Sequence, residues 1–309
     1  MGSHDGERIV IAGASGFMGA HIRRRFEEHG ATVITVGRSD AHVRWVDAKG
    51  LAAAVSGADL VLNLAGRSVN CRYTERNRAE IFRSRLATTS ALGRAIAAAD
   101  APPALWINSS TATIYRHADD HGQTDETGEV GSGFSVDVAT AWEKALFDAP
   151  TSTTRRIALR TAIVLGDGSA LTPLITLARL GLGGPQLGGR SGGGRQMISW
   201  VHLDDVWRAI GFLQQSPGID GTVNLASPNP VQNREFMRVL RSVLGARPGL
   251  PAFEWMLRLG ATVLRTEPEL VLKSRWVLPT RLLSEGFEFA HPELREALEQ
   301  ITDRRAARP

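Results

Sequence analysis

Three glycines constrain this chain more than any other feature. In the run Arg8-Ile9-Val10-Ile11-Ala12-Gly13-Ala14-Ser15-Gly16-Phe17-Met18-Gly19 an apolar stretch leads into a glycine-spaced turn. A uniformly apolar strand such as Ile9-Val10-Ile11 belongs in a parallel sheet covered on both faces. Past the glycines, Met18, Ile22 and Phe26 recur at four-residue spacing, which is one face of a helix. Gly30 stops that helix, and Ala31-Thr32-Val33-Ile34-Thr35-Val36 reads as a second strand. Together these make a βαβ unit close to the N-terminus. At such a junction one glycine permits a turn with unusual dihedrals, one lets backbone approach a pyrophosphate, and one allows tight packing of helix on strand. Backbone amides and the positive end of the helix then face the anion. The spacing is GxxGxxG rather than GxGxxG, so the string alone also describes an ordinary glycine-rich turn; the flanking strands and helix favour the dinucleotide site.

After the second strand comes Gly37-Arg38-Ser39-Asp40. An NAD-specific site places a carboxylate at this strand end to accept from the ribose hydroxyls. Arg38 stands there instead, and a guanidinium suits a 2′-phosphate through charge-assisted, often bidentate hydrogen bonds. NADP(H) is therefore favoured over NAD(H), although Asp40 lies two residues on and Arg38 also reads as one more solvated arginine in an arginine-rich chain.

With 309 residues the chain can bury a large core, as one large domain or two coupled ones. There are 36 basic against 32 acidic residues, and only Lys49, Lys144 and Lys273 are lysines. Arg23-Arg24-Arg25 and the arginines between Arg72 and Arg85 read as solvated helix faces, without the aromatic interleaving of a nucleic-acid surface. Cys71 is the only cysteine, which excludes an intramolecular disulfide and a cysteine-rich metal site. No apolar run is long enough for a membrane helix and no signal peptide opens the chain, so a cytoplasmic protein is expected. Met1-Gly2-Ser3-His4 resembles an expression-tag remnant.

Strand candidates recur at residues 8–12, 31–36, 43–46, 60–64, 104–109, 157–164 and 222–225, with helical stretches between them. This alternation predicts an α/β fold of Rossmann type, a doubly wound parallel sheet. Between the fourth and fifth strands, Glu75 to Ala99 reads as a long helix ended by Pro102-Pro103. Residues 181–194 hold eight glycines and cannot be a regular element; a loop over a binding cleft and a surface excursion without a role both fit. Beyond residue 230 the pattern turns mostly helical, a smaller C-terminal lobe. The expected organisation is a nucleotide-binding domain over 5–165, completed by about 200–226, with 166–199 and 227–309 forming a substrate-side lobe.

Ligands of open α/β sheets bind beyond the carboxyl ends of the strands. Those ends carry Asn63-Leu64-Ala65-Gly66, then Ser109-Ser110-Thr111-Ala112-Thr113-Ile114-Tyr115, then Leu165-Gly166-Asp167-Gly168. With them stand Arg83-Ser84-Arg85, Trp142-Glu143, Leu159-Arg160-Thr161-Ala162-Ile163-Val164-Leu165-Gly166 and Gly181-Leu182-Gly183-Gly184-Pro185. Further on come Ser199-Trp200-Val201-His202-Leu203-Asp204-Asp205, Asn229-Pro230-Val231 and Val277-Leu278-Pro279-Thr280-Arg281-Leu282-Leu283. Over nearly its whole length the chain resembles the extended or atypical short-chain dehydrogenase/reductases of the NAD-dependent epimerase/dehydratase group, and within them an uncharacterised epimerase-like subfamily with its own C-terminal domain. The resemblance implies that Gly13, Ser15, Gly16, Phe17, Met18 and Gly19 hold the pyrophosphate and Arg38 the adenosine phosphate. It also implies that Leu64, Ala65 and Gly66 pass along the adenine ribose, with Arg85 and Thr161 in the same cofactor set. Thr111 falls where the family's catalytic Ser or Thr polarises a substrate carbonyl or hydroxyl; a strand-end threonine capping local backbone fits the position equally.

One departure is decisive for chemistry. The family's YxxxK pair uses a lysine to lower a tyrosine pKa so that the phenol can shuttle a proton. Here Tyr73 is followed four residues on by Asn77 and Tyr115 by Asp119, while Ser135 and Ala139 stand where the pair would be. Two alternatives stay open. One is an atypical reductase or epimerase acting on a small molecule, with Tyr115, His117 or Asp137 as substitute acid or base; each also has a plain packing, loop or capping role. The other is a non-catalytic NADP(H)-binding sensor or partner-binding module. A monomer or a homodimer fits, and no nucleic-acid or membrane partner is implied. His202-Leu203-Asp204-Asp205 is expected to open a helix through Asp204 or Asp205 rather than to bind metal, so no metal is assigned.

Overall fold

The computed structural model describes residues 4–169, 171–188, 190–253 and 273–306. The strands in chain order are β1 (Arg8–Ala12), β2 (Thr32–Gly37), β3 (Val43–Arg44), β4 (Leu60–Asn63), β5 (Leu105–Thr111), β6 (Arg155–Thr161), β7 (Ile163–Leu165), β8 (Met197–Ile198), β9 (Trp200–His202), β10 (Gly221–Leu225) and β11 (Val231–Gln232). Seven form one sheet in the order β10-β6-β5-β4-β1-β2-β3, and every pairing in it is parallel. All seven sequence-predicted strands lie in this sheet. The stretch 157–164 divides: at Ala162 the backbone amide bonds to Leu225 O, the next amide bonds to Ser199 O, and β7 leaves the main sheet to run beside β9. The third strand is shorter than 43–46, ending at Arg44.

Side-chain alternation separates two cores. Ile9, Ile11, Leu60 and Leu62 face α1 (Phe17–Glu28) and α6 (Leu203–Gln215), meeting Ile22, Phe26, Val206, Ile210 and Leu213. Val10, Ala12 and Val61 face the other way, onto Leu51 and Val55 of α2 (Ala48–Val55) and Leu92 and Ile96 of α3 (Glu75–Ala97). The period of two is why each buried strand is apolar throughout. The end of α3 falls two residues short of Ala99, and α4 (Phe134–Phe147) covers the same side.

A third core surrounds Trp200. Leu171 and Ile175 of α5 (Leu171–Arg179), Phe236 and Leu240 of α7 (Asn233–Val243) and Leu298 and Ile301 of α9 (Leu294–Ala306) pack there. The short α8 (Thr280–Ser284) precedes α9. Two small pairings, β7 with β9 and β8 with β11, brace this core, and of their strands only β11 lies beyond residue 230, where the mostly helical pattern is expected. The helical pattern expected over 254–272 lies outside the described residues. No described helix is long and apolar enough to cross a membrane.

Two buried polar networks tie these layers together at the carboxyl edge of the sheet. Asn63 Nδ2 donates to Asn108 Oδ1 at 2.7 Å and to Thr89 Oγ1 at 3.2 Å, and Trp142 Nε1 donates to the same hydroxyl at 2.9 Å. This joins β4, β5, α3 and α4. In the second network Arg160 grips Glu143 with two bonds of 2.8 and 2.7 Å, Ser110 Oγ donates to Glu143 at 2.6 Å, and Arg160 also donates to the Tyr115 hydroxyl at 2.9 Å. A buried ion pair persists only when its remaining polar atoms are satisfied, as they are here.

Truncating Phe26 to Ala, which opens a cavity between α1 and the sheet, is expected to cost about 3–5 kcal/mol in urea unfolding with an unchanged m value. Glu143→Ala leaves Arg160 charged and buried; a loss of about 3–5 kcal/mol is expected in the same assay.

Candidate functional site

The carboxyl ends of β2, β1, β4, β5 and β6 bring Gly37, Ala12, Asn63, Thr111 and Thr161 to one edge, in that order. The glycine turn starts there. Gly13 has φ +83°, and a Cβ on it would stand 2.9 Å from Ala65 N and from the Leu64 carbonyl carbon and oxygen. A Cβ on Gly19 would stand 2.2 Å from Gly13 O. Gly13 and Gly19 are therefore required by the protein's own backbone. Gly16 differs: a Cβ there would meet only Gly13 O, at 3.4 Å, so the space in front of it is open. Gly16 is also the N-cap of α1, which has no side-chain cap and no acidic residue in its first turn. The first-turn amides of Phe17, Met18 and Gly19 thus form a positive, uncapped helix end, the environment an anion needs. The Phe17 ring packs inward, close against Gly166.

Arg38 follows β2 directly and is exposed, and its guanidinium has no hydrogen-bond or ion-pair partner among the described residues. Asp40 takes a left-handed φ of +50°, a conformation short polar side chains tolerate. The loop is braced by His42, whose Nδ1 accepts the Thr35 amide at 3.1 Å while its own amide donates to Thr35 Oγ1 at 3.0 Å.

Beyond β4, Asn63 Oδ1 accepts the Ala65 amide at 3.1 Å and fixes the Leu64-Ala65-Gly66 turn. Arg85 lies beneath it, with Cζ 3.3 Å from where a Gly66 Cβ would be, NH1 donating to Arg67 O and Ile81 O, and the guanidinium 4.9 Å from the Trp142 ring. Burial lowers its pKa to about 10. Within the protein Arg85 supports the turn from behind. Thr161 Oγ1 donates to Leu159 O, leaving a half-buried hydroxyl at the end of β6.

Thr111 caps the short 3-10 turn Ala112–Ile114: its Oγ1 accepts the Thr113 amide at 3.2 Å and donates to Thr113 Oγ1 at 3.0 Å. It is half-buried at the cleft edge. Tyr115 is placed differently. Its hydroxyl donates toward Asn224 Oδ1 (2.7 Å) and Thr124 O (3.1 Å) and accepts from Arg160, and the residue is 1 % exposed. Burial raises the phenol's pKa, against the opposing charge of Arg160. The geometry gives Tyr115 a packing role at the junction of β5, β6 and β10. Asp137 is exposed and does not cap α4, whose N-cap is Gly133. Ser135 and Ala139 lie on α4, and Tyr73 stacks edge-on against Phe134 at 5.0 Å beside them. The helix at Leu203 is capped by His202 rather than by either aspartate: His202 Nδ1 accepts the Asp204 amide at 3.2 Å, and both carboxylates sit in the first turn.

The glycine-rich stretch folds back onto the loop of residues 117–120. Ser191 Oγ donates to Asp119 Oδ1 at 2.8 Å, and His117 Nε2 meets Asp119 Oδ2 at 3.0 Å while its Nδ1 accepts the Ser274 amide at 3.1 Å. Burial works against the Asp119 charge, but hydrogen bonds from Ser274, Ser191 and His117 outweigh it and hold the carboxyl below its ordinary range. Behind this clasp lies a cavity of about 570 Å³, bordered by Arg190, Arg195, Met197 and Trp276. Sequence reasoning missed the segment 273–278, which forms one wall: Lys273 Nζ reaches Thr113 O at 3.4 Å and Gln123 pairs with Val277. Its only signal was the Val277-Leu278-Pro279 string, which carries no chemistry by itself.

Comparison with known proteins gives the relationship. Residues 9–226 match the NAD dependent epimerase/dehydratase family and residues 252–301 a domain of unknown function, DUF1731. The chain is 32% identical to the chloroplastic SDR39U1 homolog of Arabidopsis thaliana, an epimerase family protein, over 95% of its length and 86% of the homolog's. It is 29% identical to human epimerase family protein SDR39U1, over 95% of this chain and 99% of that one. The solved structure of human SDR39U1 (isoform 2) with NADPH superposes with a TM-score of 0.86 at 28% identity, covering 96% of this chain and 99% of that chain. A seven-stranded parallel Rossmann-like sheet, a glycine turn that only glycine can make, and a matched C-terminal domain agree: the chain belongs to the NAD-dependent epimerase/dehydratase family.

Proposed function

We propose that the protein binds NADP(H) and acts as an atypical short-chain reductase or epimerase on a small molecule. One observation carries the cofactor choice: Arg38 stands at the end of β2 with no partner among the described residues, beside an uncapped α1. An exposed guanidinium at the place where NAD-specific proteins keep a carboxylate has a ready role in holding a 2′-phosphate. The residues present fit such a cofactor: Gly16 leaves open space, the α1 amides would take the pyrophosphate, and Leu64-Ala65-Gly66, with Arg85 beneath, and Thr161 at the end of β6 would border the riboses. Bound there, the nicotinamide supplies hydride chemistry. The protein's part is then to orient the substrate, with the Thr111 hydroxyl polarising its carbonyl or alcohol. The human relative's NADPH supports the same cofactor. A cytoplasmic protein, monomeric or homodimeric, fits this reading.

A second reading has its own support. Tyr115 is committed to a buried network and Ser135 and Ala139 replace the proton-shuttling pair, as in a protein that binds cofactor without turning it over. Single-turnover oxidation of bound NADPH by pooled aldehydes, ketones and quinones separates the two: decay of cofactor emission supports an enzyme, and none supports a sensor.

Fluorescence titration tests the cofactor site directly. Arg38→Ala is expected to weaken NADPH about 10- to 100-fold, the worth of hydrogen bonds to a charged group, and to leave NADH unchanged; an unaltered preference removes the argument. If the enzyme reading holds, Thr111→Val should lower the single-turnover rate about 100-fold or more while NADPH affinity stays within about twofold, since the hydroxyl is assigned to substrate rather than to cofactor.

A further inference from the structure

Three histidines and an aspartate meet where α1, the start of α6 and the segment before α9 converge. Asp204 is the hub. His21 Nε2 lies 3.1 Å from its Oδ1, while His291 Nε2 and His202 Nδ1 lie 3.9 and 4.0 Å from its Oδ2. The His202 and His291 rings are 4.0 Å apart, and the ligand atoms of His202, Asp204 and His291 all fall within 4.8 Å of one another. The side chains of His202, His21, Asp204 and His291 are 2%, 9%, 16% and 20% exposed.

From this geometry we propose that His202, Asp204 and His291 form a binding site for a divalent, nitrogen-preferring ion of the zinc type. Separations of 3.9 and 4.0 Å are too long for hydrogen bonds. A tetrahedral ion with bonds of about 2.1 Å holds its ligand atoms about 3.4 Å apart, so the three side chains would close by roughly half an ångström or more around it. Two imidazoles and a carboxylate are donors that zinc accepts. The two Asp204 oxygens divide the work: Oδ2 faces the ion and Oδ1 faces His21, the kind of outer partner that orients a ligating carboxylate.

Two further features point to the same spot. Gln300 Nε2 donates to Asp204 Oδ2 at 3.4 Å, and its Oε1 is buried without a hydrogen-bond partner; turning that amide over would aim a carbonyl oxygen at the ion. Asp205, fully buried, accepts the amides of Ala290 and His291 at 2.8 and 2.9 Å and holds His291 in place. Binding has a cost: His202 Nδ1 must release the Asp204 amide that it caps, and the positive end of α6 opposes a cation. Asp204 and Asp205 in that first turn offset the second effect. The convergence was hidden from sequence because His21 and His291 lie far along the chain from the HisLeuAspAsp string.

The test uses full-length protein purified without a metal-affinity step, stripped with chelator and titrated with Zn²⁺, or with Co²⁺ as a visible reporter. Wild type should retain about one ion per chain after gel filtration, with nitrogen-ligated four-coordinate Co²⁺ absorption and a thermal midpoint raised by Zn²⁺. His291→Ala and Asp204→Asn, confirmed folded by circular dichroism, should lose the ion and the thermal shift. His21→Ala, which removes only the outer partner, should bind about 10- to 100-fold more weakly. Absence of binding by wild type overturns the site, and so does an equal stoichiometry in wild type and the His291 and Asp204 variants. Should both variants fail to fold, the His21 variant decides, with unchanged affinity counting against the site.

Discussion

The edge of this molecule that carries chemistry depends on one backbone approach, that of Gly13 to the Leu64-Ala65 peptide. The strands β1 and β4 are neighbours and end level, so the chain leaving each must share the same few ångströms. With φ at +83° and no Cβ, Gly13 turns away within that space; a Cβ would sit 2.9 Å from Ala65 N. The same turn aims α1 so that Gly19 passes over Gly13 O. Once both contacts are made, the amide end of α1, the 64–66 turn and Arg38 all stand at one carboxyl edge of the sheet.

The polar networks perform the complementary task on the far half of the sheet. Asn63 and Asn108 occupy strand positions that apolar residues would fill in an ordinary core, and their amides lock the strand ends in register. Glu143 and Arg160 do the same between α4 and β6. Unpaired, each of these groups would carry a desolvation penalty of about 1–3 kcal/mol or more, so the pairs act as conditions on correct assembly. A consequence follows for chemistry. Tyr115, one of only two tyrosines, belongs to these conditions, and Arg160 and Asn224 hold its hydroxyl where a proton shuttle would need it free.

Much of the fold was legible because its signals are local. Ile9-Val10-Ile11 announces a buried parallel strand, Gly30 with φ +88° stops a helix as only glycine comfortably can, and each of the seven apolar stretches supplies one strand of the main sheet. Departures occur where a partner distant in sequence decides. The stretch 157–164 divides at Ala162 because successive amides, those of Ala162 and Ile163, bond to different partners, Leu225 O and Ser199 O. His202 took the capping position expected of Asp204 or Asp205 because the turn from β9 into α6 comes two and three residues before those carboxylates. For the candidate site the glycine turn and the place of Arg38 at a strand end could be read directly, since both are matters of local chain order and backbone geometry. The wall made by 273–278 could not, because it forms only when that segment lies beside residues 117–123, some 150 positions away.

These facts set the boundary between scaffold and variable chemistry. The nucleotide half is specified by contacts that admit almost no substitution, since Gly13 and Gly19 are each hemmed in by backbone. The opposite wall is specified by side chains of a different kind: Ser191, Asp119 and His117 clasp a glycine-rich loop over a cavity edged by two arginines and a tryptophan. Such a wall can change its lining without disturbing the sheet, because its hydrogen bonds run between loops and not between strands. On the proposed function, cofactor choice and substrate choice are physically separable: the first rests on a backbone turn and one arginine, and the second on loops whose side chains the sheet does not constrain.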